Sequence, residues 1–169
     1  GYLWIVDPLD GTHNFIRQNP CFGVSIGVVH QGRFVCGVID MPKDNEVYVA
    51  EEGGGAFKNG RRIHVSSRQD LKECSVSFDS ALRSNPPLLA AVLQDLAQRT
   101  FNVRMFGSSV RGLSYLAEGV IDVCVEFEDM PWDFAAGVCL VQEAGGTVTD
   151  LVGLSLRHTG VGYVAANAQ

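Results

Sequence analysis

No Cys-x-x-Cys pair occurs in the chain, although it has five cysteines: Cys21, Cys36, Cys74, Cys124 and Cys139. Their number is odd, and most lie in apolar runs such as 34–38 (FVCGV). A zinc site is therefore not expected. Buried free thiols in a reducing compartment, the cytoplasm, are. No stretch of about 18 apolar residues appears, which excludes a helical membrane span, and no signal-peptide pattern is visible. Lys and Arg are outnumbered, 13 against 19 Asp and Glu, for a net charge of −6. With no basic block, direct nucleic-acid binding is not expected. An anionic substrate would instead need metal ions or helix N-termini to hold it. Internal repeats and low-complexity tracts are also missing.

What remains is apolar enough to fold: 46% of 169 residues are hydrophobic and 19% charged. The first part reads as strands. Residues 2–6, 22–30, 33–40, 46–51, 56–58 and 62–65 are rich in Val, Ile and Phe or alternate in polarity. Gln31-Gly32 and Asn59-Gly60 mark hairpin turns between them, the latter of type I′. Near residue 68 the pattern changes to alternating strands and helices. Strands are expected at 74–78, 101–106, 120–125, 147–149 and 162–166. Helices are expected over 88–99 after Asn85-Pro86-Pro87, from Ser108 or Ser109 to Glu118, and over 133–144. The chain thus divides into an antiparallel half, 1–68, and a layered α/β half, 69–169.

The stretch 4–15 (WIVDPLDGTHNF) ends a buried strand on two aspartates. A turn at Pro8-Leu9 lets Asp7 and Asp10 converge, and convergent hard oxygens suit Mg²⁺. The Leu9 carbonyl between them is a further oxygen. Gly11-Thr12 opens a short helical turn whose free N–H groups favour an anion, and the Thr12 hydroxyl could hold a water. Metal ligands beside an anion site suit metal-assisted phosphate-ester hydrolysis. A plain Asp-Gly turn is the alternative. Asp133 after Pro131-Trp132 would by itself be a helix N-cap. Beside the first motif it becomes a candidate third carboxylate of a two-metal site.

Together these stretches resemble the inositol monophosphatase family of Mg²⁺-dependent, lithium-sensitive phosphatases. The first motif is 7–15 (DPLDGTHNF); the second is 132–137 (WDFAAG) followed by 143–146 (EAGG). GGGAFKNG at 53–60 and the segment 104–122 add to the match, which spans essentially the whole chain. The resemblance implies an αβαβα sandwich with an antiparallel first sheet and a mixed second sheet. It implies that Asp7, Asp10, Asp133 and the Leu9 carbonyl bind two or three Mg²⁺ ions, with Asp7 bridging. Gly11 and Thr12 would hold the phosphate, and Thr12 and Asp7 would serve catalysis. Gly107, Ser108, Ser109 and Glu126, with Asp133, would line the substrate side. The implied reaction is direct attack of a metal-activated water on a small phosphorylated alcohol, inositol monophosphate first, in a homodimer. Fructose 1,6-bisphosphate, histidinol phosphate and 3′-phosphoadenosine 5′-phosphate are the alternatives, as is a non-catalytic protein-binding member. The resemblance further leads one to expect about 70–80 residues ahead of the first motif, carrying two helices and a glutamate ligand, and a last helix after 165–167, all absent from this chain. Residues 126–130 (EFEDM) are more acidic than the resemblance leads one to expect.

Among single residues, His13 is expected as a surface neighbour of the site, and His30, His64 and His158 as ordinary polar positions. Arg104 is expected in a structural ion pair, Asp122 at a neighbouring helix start, and Trp4 and Trp132 in the core beside the carboxylates.

Overall fold

The computed structural model describes residues 1–167. Six strands form an antiparallel meander in sequence order: β1 (Tyr2–Asp10), β2 (Gly23–His30), β3 (Arg33–Met41), β4 (Glu46–Glu51), β5 (Gly55–Lys58) and β6 (Arg61–Ile63). Asn59 and Gly60 both take positive φ, 49° and 76°, as a type I′ hairpin requires. A short helix, α1 (Thr12–Ile16), follows β1. A second sheet holds β7 (Ser75–Phe78), β8 (Asn102–Arg104), β9 (Val123–Glu126), β10 (Gly146–Thr149) and β11 (Tyr163–Asn167). Its order is β10-β11-β9-β7-β8; β7 runs parallel to β8 and β9, and the other pairs are antiparallel. The fold is thus α/β, with an antiparallel and a mixed sheet.

Helices α3 (Ser109–Ala117) and α4 (Pro131–Glu143) lie between the sheets. Residues Phe134 to Val141 of α4 are all buried, which identifies a helix covered on every side. Gly27 and Gly37 pair across β2 and β3 and let the α4 backbone approach. A Cβ on Gly27 would lie 2.6 Å from that of Ala135, and one on Gly37 would collide with the Ala136 carbonyl. Helix α2 (Pro86–Arg99) packs beyond the second sheet, with Leu89 buried against Val76, Phe78 and Val125. Among the described residues, no helix is long and apolar enough to cross a membrane.

Several local expectations change. β1 continues past residue 6 to Asp10 through a register shift between Asp7 and Asp10. A bulge tolerates Pro8, which has no N–H to give, and Asp7 Oδ1 accepts the Leu9 N–H at 2.9 Å. β8 is shorter than 101–106, and β9 starts at Val123 rather than residue 120. Asp122 caps no helix. It is fully buried and accepts from Ser66, from Arg68 at 3.1 Å and from the Ser75 N–H at 2.7 Å, tying the linker between the sheets to β7. Trp4 and Trp132 are 67% and 46% exposed, so neither is a core residue. Trp4 faces outward on an edge strand whose next residue, Ile5, takes the inward position. Arg104 ends the edge strand β8, exposed, and forms no ion pair among the described residues. All five cysteines are free thiols; Cys74, Cys124 and Cys139 are buried.

Candidate metal and phosphate site

Three elements far apart in sequence meet at one end of the inter-sheet layer: the end of β1, the start of α3 and the start of α4. Ligand oxygens of Asp7, Asp10 and Asp133 all lie within 4.8 Å of one another. Asp10 is buried, and its Oδ2 accepts from the Ser108 hydroxyl and from the Val110 N–H at 3.3 Å. Ser108 is the N-cap of α3, and its Oγ also accepts the Arg111 N–H at 3.3 Å. Asp133 is the third residue of α4 rather than its cap, and its Oδ2 accepts the Met130 N–H at 2.7 Å.

Packing carboxylates together is costly. Burial, and then the charge of Asp7, push the Asp10 carboxyl above its ordinary value despite its two donors. Burial, with Asp10 and Asp7 adding to it, lifts Asp133 to about 6. A hard divalent cation would relieve both terms, and a donor set made of carboxylate oxygens suits Mg²⁺ rather than a soft metal.

The neighbouring turn is held from below. Gly11 takes φ 76°, and a Cβ there would stand 2.7 Å from the Cys21 carbonyl. Asn14 Nδ2 reaches the carbonyls of Cys21 (2.7 Å), Phe106 (2.8 Å) and Gly107 (3.1 Å), clamping α1 to the segment before α3. The Thr12 hydroxyl donates to the Leu9 carbonyl at 2.9 Å. The first N–H groups of a helix have no acceptor within it, so those at Gly11 and Thr12 remain available beside the carboxylates.

A pocket of about 180 Å³ opens beside Asp10 and Asp133, lined also by Asp79, Ser109, Glu126 and Asp129. Gly107, Ser108 and Ser109, expected on the substrate side, all border it; the Ser108 hydroxyl is committed to Asp10 and Arg111. Glu126 is buried, and burial followed by the charge of Asp129 raises its carboxyl well above the ordinary range. Burial likewise lifts Asp129 to about 8. His13 is exposed at the mouth of an adjoining groove, as expected.

The contacts that three residues make at this site are not legible in sequence pattern. Asn14 stands inside the first motif, but its three acceptors lie 7 to 93 residues away. Asp79 and Asp129 sit in segments with no periodicity; only the acidity of 126–130 hinted at the second.

Comparison with known proteins agrees with this geometry. The family model for the inositol monophosphatase family matches residues 1–169. The chain is 38% identical over 165 residues to a fructose-1,6-bisphosphatase/inositol-1-monophosphatase of Thermotoga maritima, covering 98% of this chain and 63% of that protein. It is 40% identical over 154 residues to a putative Nus factor SuhB of Neisseria meningitidis serogroup B, covering 90% and 59%. Among solved structures, the inositol monophosphatase of Anabaena (Nostoc) sp. PCC 7120 superposes with a TM-score of 0.93 at 37% identity, covering 98% of this chain and 67% of that one. A two-sheet α/β sandwich whose three converging carboxylates could hold a metal ion defines the class. Within that class, the chain belongs to the inositol monophosphatase family. It spans about three-fifths of the length of these curated relatives.

Proposed function

We propose that the protein is a Mg²⁺-dependent phosphomonoesterase that hydrolyses a small phosphorylated alcohol. The observation that carries this reading is the meeting of Asp7, Asp10 and Asp133 within 4.8 Å, next to the Gly11-Thr12 turn. These carboxylates, with the Leu9 carbonyl, would hold two or three ions. Bound there, the metal polarises phosphate oxygens and makes an attacking water more acidic.

The chain's own residues do the rest. The N–H groups of Gly11 and Thr12 bind a phosphate oxygen. The Thr12 hydroxyl, held by the Leu9 carbonyl, orients the attacking water. Ser109, Gly107 and Glu126 face the alcohol half. Inositol monophosphate and fructose 1,6-bisphosphate are both supported as substrates by the name of the Thermotoga relative. A homodimer is what the resemblance to the family implies, and five free thiols accord with a reducing compartment, the cytoplasm. A protein-binding role beside or instead of catalysis is favoured by one observation, the likeness to a putative Nus factor.

The test is phosphate release from the whole protein, with and without Mg²⁺, over these esters. Release that depends on Mg²⁺ is expected. No release from any ester would leave only the binding role.

A further inference from the structure

Gly23, Ser25 and Gly27 form a narrow strip on the inward face of β2. A Cβ on Gly23 would stand 3.1 Å from the Val110 side chain of α3, and one on Gly27 would stand 2.6 Å from that of Ala135 on α4. Ser25 therefore lies between the points where these two helices approach the strand. Both points adjoin the carboxylate cluster: Val110 gives its N–H to Asp10, and Ala135 is two residues past Asp133. Ser25 is fully buried, and its Oγ has no hydrogen-bond partner among the described residues. Burying an unpaired hydroxyl is costly, and close approach alone would be met by alanine or glycine, as it is on either side. On the same face, Ser25 has Ile39 of β3 opposite it on one flank and Asp7 of β1 on the other. Ile39 offers no side-chain acceptor. Directly opposed residues share a face, with Cβ atoms about 4.5–5.5 Å apart. The Asp7 carboxylate is thus the side-chain acceptor beside a hydroxyl that is free to rotate.

We infer that Ser25 is a positioning residue of the metal site, its hydroxyl donating to the Asp7 carboxylate when a divalent cation is bound. The inference rests on the metal-site reading and deepens it. Asp7 Oδ1 already accepts the Leu9 N–H at 2.9 Å. One such bond places a carboxylate but leaves its plane free to turn; a second donor, from the neighbouring strand, stops that turn. A ligand held in this way loses less freedom on meeting a cation, which is how an outer hydrogen bond raises metal affinity. Asp10 has two donors of the same kinds, the Ser108 hydroxyl and the Val110 N–H. Ser25 gives Asp7 the hydroxyl donor that Ser108 gives Asp10.

The test measures Mn²⁺ affinity of the whole protein, from the loss of free-ion electron paramagnetic resonance signal, beside the Tm of the metal-free protein. Ser25→Ala is expected to weaken Mn²⁺ binding about tenfold or more. Its metal-free Tm should match or exceed that of wild type, because the hydroxyl it removes has no partner there. Ser25→Cys keeps the size but donates weakly, and gives the same affinity readout should the first variant not fold. Ser114→Ala is the control. Its hydroxyl is equally buried and unpartnered but sits on the second turn of α3, and its affinity should equal that of wild type. Unchanged affinity in the Ser25 variants overturns the inference and leaves the metal site standing. So does an equal loss in Ser114→Ala, or a lowered metal-free Tm in Ser25→Ala with affinity retained, since either means that the serine serves packing alone. No saturable binding by wild type would overturn the metal-site reading and this inference with it.

Discussion

Ser108 donates a hydrogen bond to Asp10 across 98 residues of chain. That bond joins the end of the first strand to the cap of α3. It is buried, and the same serine oxygen accepts the Arg111 N–H. Ser108→Ala removes a cap and one of the two donors to a buried carboxylate. It should cost about 1–3 kcal/mol in urea unfolding. Ser108→Thr, which keeps the hydroxyl, should recover most of this.

Arg111 sits one turn further along α3 and is 1% exposed. It pairs with Asp44 and, at 2.9 Å, with Glu46, anchoring α3 to the β3–β4 hairpin. Glu46 also takes Lys58 at 2.6 Å; burial opposes its ionisation, but Lys58 and Arg111 win and hold it below the ordinary value. Arg111→Ala should destabilise by about 3–5 kcal/mol, the range for breaking a buried pair. Arg111→Met should cost less, since Asp44 is partly solvated and Glu46 keeps Lys58. Chemical denaturation of both variants checks the order.

The carboxylate cluster makes a prediction about pH. Asp10 and Asp133 have raised folded-state values, so their contribution to stability is full when they are protonated. It is lost as pH rises, for Asp133 through about 6. Mg²⁺ removes the repulsion but must displace those protons at low pH. The gain in Tm on adding Mg²⁺ should therefore be larger at about pH 8 than at about pH 5. Thermal unfolding at both values tests this; an equal gain would contradict it.

Asn14 clamps the phosphate turn through three carbonyls. Asn14→Ala should lower kcat/KM at least about tenfold while costing about 1–3 kcal/mol in stability. Asn14→Asp, which cannot donate, should resemble it.

Much of this fold is legible in the sequence, because strands and helices announce themselves through local pattern. The hairpin at Gln31-Gly32, the prolines opening α2 and the stop at Gly119, with φ 75°, are each signalled within a few residues. So are the two motifs that bring Asp7, Asp10 and Asp133 to the site. What escapes is set by distant partners. Asp122 is claimed by Ser66 and Arg68, not by a nearby helix. Trp4 is exposed because it takes the face of β1 opposite Ile5, away from α4, which depends on how the sheet packs rather than on the strand's own composition. Arg111, a charged residue in the interior, is explained only by Asp44 and Glu46, more than 60 residues away.

The central claim is that three carboxylates from β1 and α4 form one metal site. Titration of the whole protein with Mn²⁺, followed by the loss of free-ion electron paramagnetic resonance signal and competed by Mg²⁺, tests it most directly. Wild type should bind saturably, and Asp133→Asn should weaken binding about tenfold or more while remaining folded. Equal affinity in the two proteins would contradict the claim.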